Sequence, residues 1–473
     1  MTHSTSKILR VGGLNEVRYT DPQTAQDTES MFVVKQLFES PYGTVFGATD
    51  VEPVLFDGPV EAVTAMRWRG RVRGDVCFSD GSPMTADDVA RSLSESGIIR
   101  EAATVQREGD DIVFDLVRPN ARFDLTLAHG QCGVVRRQGS RLIGTGPFVL
   151  DDASRPDHIR LVRNPHHRPE AKLDEVHFVT YPLDADGRPT ALIAALEAGE
   201  VDLTTSLGRD DLQAVSGVRK SIKPGASTCL LYLVCDGRDG LRDARVRRAI
   251  GHGLDRFELA KISYSNALAF AASSVLPRTL GAGDEHLAHD PTKARRCLAE
   301  ADAVPESLSM LVIWGPRPYL PDPEGTATAI AEQIGRLGIR VEIEKAANST
   351  DYFEKVIAGT HDLILAGWVA DTMDPVDFLE TNLASYSGPK WENQTVSTHS
   401  GRLKSAEMDE LIAAARVDST SGSLDKILEL AATEASLVPL MYGASATVWS
   451  FQVQDFVPSP MAHYPLTALD VSG

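Results

Sequence analysis

The sequence predicts an α/β fold. Strand-like and helix-like segments alternate along the 473 residues, and this alternation favours a layered α/β architecture over a helical bundle or a β-sandwich. The hydrophobic content of 42% and the charged content of 24% are those of an ordinary soluble globular protein. At about 150 residues per domain, the length predicts two or three domains.

Charge, hydropathy and cysteine content argue against several classes of protein. The formal net charge of −19 argues against nucleic-acid binding, because the phosphate backbone attracts basic surfaces. No run approaches the roughly 18 consecutive apolar residues of a membrane span. The cysteines form no C-x-x-C pair and are too scattered for a zinc site. They are Cys77, Cys132, Cys229, Cys235 and Cys297.

The residues that follow position 306 predict a βαβ unit. "SLSMLVIWG" (Ser307–Gly315) is typical of a buried strand, and "IRVEIEKA" of the next one. Between them Ile330, Ile334 and Leu337 form one apolar stripe at helical spacing, and Gly338 is the predicted C-cap. The two strands should be parallel, with a right-handed crossover. A second helix, "TDYFEKVIAG", leads to a third strand, "DLILAGW".

Two loops follow the carboxyl ends of these strands. One carries Arg317 and Tyr319, and the other carries Asp371 after Gly367–Trp368. Ligands of open α/β sheets bind beyond the carboxyl ends of strands. We therefore expect a cation and an anion to face one crevice.

Each of these residues also has a structural alternative. Asp371 is a common type of residue for a turn or a helix entry. Arg317 could be a surface arginine between prolines, although Pro316 and Pro318 predict a stiff loop that aims it. Trp368 is as typical of core packing as of a ligand platform.

Other local patterns predict helix starts and surface features. Thr85 with Asp88 predicts a capping box, and Asp374, Pro375 and Asp377 predict the N-cap, first position and first-turn acid of the helix "PVDFLETNL". The basic segment "RVRRAI" predicts a solvated helix face, with Val246 and Ile250 facing inward. His166–His167 predicts an exposed loop rather than a metal site. No G-x-S-x-G, H-E-x-x-H or phosphate-binding glycine motif occurs, so the sequence predicts no catalytic residue, metal or cofactor.

Six segments match a known family in the same order along the chain. In that order they resemble the family 5, peptide-type extracellular solute-binding proteins of ABC importers, which include dipeptide-, oligopeptide-, opine- and nickel-binding proteins. The segments are FSDGSPMTADDVARSL, GTGPFVL, IRLVRNPHHRPEAKLDEVHF, ALEAGEVDL, DARVRRAIGHGLDRFELAKI and AGWVADTMDPVDFL. One such motif is weak, but six in register cover nearly the whole chain.

The resemblance implies a two-lobed α/β clamshell of the periplasmic-binding-protein type, class II, with an enlarged and discontinuous first lobe. That lobe would comprise residues 1–227, including an extra subdomain near 40–140, together with the returning segment 447–473. The second lobe would comprise residues 228–446. A ligand would be trapped between the lobes by their closure.

The resemblance also implies a binding site. In dipeptide and oligopeptide binders, an aspartate shortly after a G-W pair holds the α-ammonium of the peptide, and Asp371 stands three residues after Trp368. An arginine in an R-P-Y stretch holds the ligand carboxylate, and Arg317 matches it; an arginine fork grips a carboxylate with two hydrogen bonds. Gly367, Trp368 and Tyr319 complete the predicted site. The sequence departs from the family at His167, where many members carry an aromatic residue.

The predicted function is capture of a small zwitterionic ligand, such as a dipeptide, a short peptide or an amino-acid-like compound, for an ABC importer. We expect a monomer that binds no nucleic acid and catalyses no reaction. The alternative is a cytoplasmic protein of the same fold that serves as an enzyme or accessory protein in the biosynthesis of an amino-acid-derived metabolite. The resemblance implies an extracytoplasmic location, whereas the lack of a recognisable signal peptide keeps the cytoplasmic one open. The first-lobe pocket residues and the ligand's identity stay open as well.

Overall fold

The computed structural model describes most of the chain, and the chain divides into two compact units. Unit 1 comprises residues 1–222 and 446–473, and unit 2 comprises residues 223–445. The described residues are 6–25, 27–44, 50–186, 188–208, 211–235, 240–264, 270–281, 283, 287–313, 315, 317, 319–370, 372–387, 400–418, 422–458 and 466–472. Among these residues, no helix is long and apolar enough to cross a membrane.

Unit 1 contains thirteen strands and six α-helices among the described residues up to position 214. The strands are β1 Ile8–Gly13, β2 Tyr42–Thr44, β3 Val51–Pro53, β4 Glu61–Thr64, β5 Arg67–Arg71, β6 Ala103–Glu108, β7 Asp111–Leu116, β8 Val135–Gln138, β9 Arg141–Gly144, β10 Phe148–Leu150, β11 His158–Arg163, β12 Glu175–Thr180 and β13 Leu203–Thr204. The helices are α1 Thr28–Leu37, α2 Ala86–Glu95, α3 Gly97–Ala102, α4 Phe123–Leu127, α5 Thr190–Glu197 and α6 Asp211–Ala214.

Unit 2 alternates strands and helices, as the sequence predicts. Its strands are β14 Arg219–Leu233, β15 Ser307–Val312, β16 Arg340–Lys345, β17 Leu363–Val369 and β18 Leu437–Trp449. Its helices are α7 Ala244–Gly253, α8 Arg256–Ser263, α9 Pro291–Ala299, α10 Pro323–Gly335, α11 Ser349–Ala358, α12 Pro375–Leu383, α13 Ala406–Val417 and α14 Ser423–Glu434. The chain passes between the units within β14 and within β18. Two short strands of unit 1 follow, β19 Val453–Gln454 and β20 Asp470–Val471.

The main sheet of unit 1 has the strand order β10-β11-β12-β1-β13-β18. Strand β1 is parallel to both β12 and β13. The returning segment shares the core of this sheet, because Val453 and Leu466 are fully buried in one cluster with Leu9 and Val176. Residues from Tyr42 onward to position 143 form a second core around the sheet β4-β5-β7-β6.

Close packing accounts for the glycines of the motif GTGPFVL. A Cβ atom on Gly144 would lie 2.1 Å from the carbonyl oxygen of Leu37, at the end of α1. Gly146 lies against the same residue and donates its N–H to that oxygen at 3.0 Å. Only glycine permits this approach of two backbones, so the motif has a packing role here rather than a phosphate-binding one.

The predicted βαβ unit is confirmed. Strands β15 and β16 are parallel and adjacent, and β15 is also parallel to β17. Within unit 2 the strand order is β18-β14-β17-β15-β16.

The predicted C-cap of the helix between β15 and β16 is wrong. Helix α10 ends at Gly335 with Arg336 as its C-cap, and Gly338 takes a left-handed conformation two residues further on, with φ 87°. The turn that enters β16, rather than the end of the helix, therefore requires this glycine.

Helix starts could be predicted from local sequence alone. Thr85 and Asp88 form the predicted capping box of α2, with both reciprocal hydrogen bonds present. Helix α12 begins at Pro375, and the side chain of Asp374 accepts from the backbone N–H of Val376 at 2.9 Å. Both predictions are confirmed.

Candidate functional site

The predicted loops leave the same edge of the sheet in unit 2. Strands β15 and β17 are parallel neighbours, with Met310 opposite Leu363 and Val312 opposite Leu365. The segment that carries Arg317 and Tyr319 follows the carboxyl end of β15. The carboxyl end of β17 lies beside it, so these loops share one edge. That a cation and an anion face one crevice at this edge stays a prediction.

Tyr319 packs directly on Gly367. A Cβ atom on Gly367 would lie 2.7 Å and 2.8 Å from Cδ2 and Cε2 of the tyrosine ring, and 2.3 Å from the carbonyl oxygen of Thr228 on β14. The ring is 5% exposed, and burial raises the pKa of Tyr319. The structure thus brings these two predicted residues together, and the contact itself explains why the position after Ala366 is a glycine.

The Gly367→Ala variant is expected to lower the free energy of unfolding by about 1–3 kcal/mol, as overpacked cores do. The added methyl group must displace the ring of Tyr319 or the carbonyl group of Thr228. Gly335→Ala is the matched control, since a Cβ atom there meets nothing within 4 Å and alanine favours the helix by up to about 1 kcal/mol. Urea unfolding measures both variants. Equal stability of the two would contradict the tight contact.

Arg317 is held by a short turn. Its N–H donates to the carbonyl oxygen of Leu320 at 3.0 Å, and the N–H of Leu320 donates back to the carbonyl oxygen of Arg317 at 2.9 Å. The guanidinium lies near Tyr319 and Tyr352, where its charge opposes the increase in the pKa of each phenol that burial causes. The turn therefore places one cation beside a buried aromatic wall.

Two further tyrosines belong to this wall and are missed by the sequence analysis. Tyr232 of β14 and Tyr352 of α11 are buried close to Tyr319. Burial raises the pKa of Tyr232 well above its ordinary value, and its hydroxyl donates to Oδ1 of Asn382 at 3.1 Å. Tyr232 lies in an ordinary strand pattern and Tyr352 in an ordinary helix pattern. Neither pattern indicates that these side chains lie close to Tyr319.

Trp368 lies on the other face of β17 from the Tyr319 contact. It is half-buried and sits opposite Thr228 in the strand register. Successive residues of a strand point to opposite faces. The structure therefore does not place Trp368 beside Tyr319, and its role in ligand binding stays a prediction.

Asp371 lies outside the described residues. The residues after it show what caps the following helix: Asp374 caps α12 and also receives support from Thr372, whose hydroxyl oxygen accepts from the N–H of Asp374 at 3.2 Å. Capping of α12 is thus accomplished by Asp374. The role of Asp371 itself stays a prediction.

A buried ion-pair network joins α12 to α13. Nη1 of Arg416 lies 3.3 Å from Oδ2 of Asp374, Nη2 lies 3.2 Å from Oδ1 of Asp377, and Nε donates to Oε2 of Glu380 at 2.9 Å. The side chain of Arg416 is 7% exposed. Burial alone would lower the pKa of Arg416, but the charges of Glu380, Asp377 and Asp374 outweigh it and raise that pKa. The sequence predicts Asp374 and Asp377 only as residues at the start of the helix, not as partners of Arg416.

Two predictions of solvent exposure are wrong in part, at Arg247 and at His167, whereas His166 is exposed as predicted. Arg247 of the segment RVRRAI is 2% exposed and donates to the carbonyl oxygens of Leu241 and Glu434, although Val246 and Ile250 do face inward as predicted. The side chain of His167 is 6% exposed, with Nε2 3.2 Å from Oε1 of Glu39. In both cases a partner from another part of the fold satisfies the buried polar group. Within the part of the chain that the structure describes, no three His, Cys, Asp or Glu side chains are grouped to hold a metal ion.

Unit 1 contains a separate cavity that the sequence analysis misses. It is an open depression at the carboxyl ends of β1 and β12, beside the first turn of α1. Its walls combine valines and phenylalanines with hydroxyl, amide and carboxylate groups. The lining residues are Val11, Gly12, Gly13, Asn15, Val17, Thr28, Glu29, Phe32, Phe178, Val179, Thr180, Thr205 and Ser206.

The chain is similar to peptide-binding proteins of bacteria. It is 24% identical over 452 residues, which is 88% of this chain and 84% of the relative, to the probable D,D-dipeptide-binding periplasmic protein DdpA of Escherichia coli strain K12. It is 26% identical over 349 residues to di/tripeptide-binding protein 2 of Pseudomonas aeruginosa strain UCBPP-PA14, a match that spans 68% of this chain and 64% of the relative.

Solved structures of low sequence identity share the fold. The structure of HbpA2 from Haemophilus parasuis matches 98% of this chain and 100% of its own, with a TM-score of 0.87 and 18% identity. This likeness confirms the predicted two-lobed α/β fold class.

The sequence model of one protein family, the bacterial extracellular solute-binding proteins, family 5, matches residues 50–390 of this chain. The relatives of this chain include periplasmic proteins. The chain belongs to the bacterial extracellular solute-binding proteins, family 5.

Proposed function

We propose that this solute-binding protein captures a dipeptide or another short zwitterionic peptide outside the cytoplasm. It then delivers the peptide to the membrane subunits of an ABC importer. Its family supplies the class of function, and the names of two relatives supply the class of ligand, since they are dipeptide- and tripeptide-binding proteins. The chain acts by affinity as a monomer. Membership of a solute-binding family gives no support to the enzyme alternative.

The observation that carries the proposal is the shared edge of β15 and β17. Arg317 stands at this edge beside buried aromatic rings, and the segment with Asp371 follows the neighbouring strand. A cation for the ligand carboxylate and an anion for its ammonium suit a zwitterion, because each charge of the ligand then meets its opposite. We assign Arg317 to the carboxylate and Asp371 to the ammonium. Gly367 and Tyr319 on one face of β17, and Trp368 on its other face, are the further proposed ligand contacts.

A thermal-shift screen of dipeptides, tripeptides and single amino acids tests the proposal. A ligand present at 100 times its Kd raises the free energy of unfolding by about 2.7 kcal/mol if it binds only the folded protein. We expect short peptides with free termini to raise Tm. No shift with any peptide, at concentrations up to the millimolar range, would contradict the proposed ligand class.

Replacement of Arg317 by alanine is expected to weaken binding of a peptide with a free carboxylate by at least about tenfold, because a hydrogen bond to a charged group is lost. Binding of the same peptide amidated at its C-terminus should change much less. Arg340→Ala is the control, since Arg340 is 72% exposed and pairs with the exposed Glu342. Calorimetric titration measures the affinities of the wild-type protein and both variants for the two peptides. An equal loss for the free and amidated peptides would rule out a carboxylate contact.

A further inference from the structure

Two histidines meet on one face of the main sheet of unit 1. His158 of β11 and His177 of β12 alternate with the core residues Ile159 and Phe178, so they lie on the face opposite that core. Nε2 of His158 lies 3.4 Å from Nδ1 of His177. The ring centroids are 5.2 Å apart, farther than the nitrogens, so the ring edges that carry these nitrogens face each other.

The ring of His177 is oriented by a carboxylate. Its Nε2 lies 2.9 Å from Oε2 of Glu175, and a carboxylate only accepts hydrogen bonds. Nε2 therefore carries a proton and donates it, and in the neutral ring Nδ1 presents its lone pair to His158. Histidines that bind a metal ion commonly donate their other ring nitrogen to a carboxylate in this way.

The carboxylate of Glu175 is itself fixed. Arg160 of β11 donates to both of its oxygens, from Nε to Oε2 and from Nη2 to Oε1, each at 2.9 Å. The positive charge of Arg160, which stands opposite His177 in the strand register, is thereby matched, and Asp157 matches the charge of Arg155. Because the two histidines stand on adjacent strands of one sheet, their separation is set before a metal ion binds.

The distance between the two ring nitrogens fits a tetrahedral metal ion. Zinc binds histidine nitrogen at about 2.0–2.1 Å, so two such nitrogens at the tetrahedral angle lie about 3.3–3.4 Å apart. Neighbouring positions of a square-planar ion at the same bond length would lie about 2.8–3.0 Å apart. A hydrogen bond between the rings would likewise draw the nitrogens to about 2.7–3.2 Å. Of these three arrangements, tetrahedral coordination agrees with the observed distance.

We propose that His158 and His177 bind one zinc ion, with Glu175 as the positioning residue that orients His177. Both histidines are partly exposed, so water can occupy the two remaining positions of the tetrahedron, as it does in open zinc sites. A site with two protein ligands agrees with the finding that no three His, Cys, Asp or Glu side chains of the described residues are grouped to hold a metal ion. The zinc site lies within unit 1 and is independent of the proposed peptide capture.

Titration of zinc against a chromophoric chelator measures the affinity of the wild-type protein and of its variants. His158→Gln and His177→Gln are each expected to weaken zinc binding by at least about tenfold, because loss of even an outer partner of a metal ligand costs about 10–100-fold. His289→Gln is the matched control, since it removes a partly exposed histidine of unit 2 that lies 3.8 Å from Asp255, and it should keep the wild-type affinity. Magnesium, which prefers oxygen ligands, should not compete with zinc.

Two variants of Glu175 separate orientation of the ring from a general loss of structure. Glu175→Ala should weaken zinc binding by about 10–100-fold, although both histidines remain. Glu175→Gln should lose less, because its amide oxygen still accepts from Nε2 of His177, whereas both variants remove the same charge from Arg160. Equal zinc affinity of Glu175→Ala and the wild-type protein would overturn the positioning role.

Two further measurements locate the ion. Anomalous X-ray scattering from a zinc-soaked crystal of the wild-type protein should show one peak about 2.0–2.1 Å from Nε2 of His158 and from Nδ1 of His177. Zinc should also raise Tm more for the wild-type protein than for either histidine variant, since an ion that binds only the folded chain stabilises it.

The outcomes that would overturn the zinc site are distinct from those that test peptide capture. Zinc affinities of both histidine variants within about threefold of the wild-type value, or a zinc peak that contacts neither ring, would overturn the site and mean that the two rings contact only each other. A peptide screen without any shift would overturn the proposed function and leave the zinc site standing.

Discussion

The Asp371→Asn variant is expected to bind its peptide at least about 30-fold more weakly than the wild-type protein does. Asparagine keeps the shape of the side chain and removes its charge, so the ligand ammonium would be left in the site without its counter-ion. Truncation of one partner of such a pair costs about 2–5 kcal/mol of binding, and 2 kcal/mol corresponds to about 30-fold. Calorimetric titration with any peptide from the screen measures the change.

Stability without ligand should change little in this variant. Asp374, rather than Asp371, caps α12, and substitutions away from such structural contacts usually stay within about 0.5 kcal/mol. Glu342→Gln is the control for the change of net charge, because Glu342 is 67% exposed on β16. A peptide that lacks its α-amino group should bind the wild-type protein and the variant equally. An affinity for the intact peptide within about threefold of the wild-type value would assign Asp371 to its turn.

The Arg416→Met variant is expected to lower the free energy of unfolding by about 3–5 kcal/mol, the cost of removing one partner from a buried ion pair. Methionine fills much of the same volume but supplies no charge to the carboxylates of Asp374, Asp377 and Glu380, which contact Arg416 in the wild-type protein. Urea unfolding monitored by circular dichroism measures the loss. The loss should persist in 1 M salt, since buried pairs are screened less than exposed ones.

Arg340→Met is the matched control for this variant. Its pair with Glu342 is exposed on both sides, and exposed pairs contribute about 0–1 kcal/mol. We therefore expect its free energy of unfolding to stay close to the wild-type value at every salt concentration. A similar, small loss in both variants would mean that the three acids of α12 do not depend on Arg416.

The sequence by itself determined the local elements of this fold and the family. Continuous apolar runs identified β15 and β17, the alternation of Val341 and Ile343 with charged residues identified β16, and apolar side chains at helical spacing identified α10. Residues two or three positions apart identified the capping box of α2 and the start of α12, because a cap needs only such near partners along the chain. The ordered motifs then indicated the solute-binding family over most of the chain.

The tertiary structure alone decided which polar and aromatic groups meet. Arg416 contacts Glu380 across 36 positions of sequence, and Arg247 contacts Glu434 across 187. The packing of Tyr319 on Gly367 and the cavity with Glu29 likewise join separate elements. Hydrophobic periodicity tells which face of a helix or strand is buried, but it does not tell which other element covers that face. The burial of Arg247 and the charged cavity could therefore not be predicted, since partners that lie far apart in sequence are selected only by the packing of whole elements.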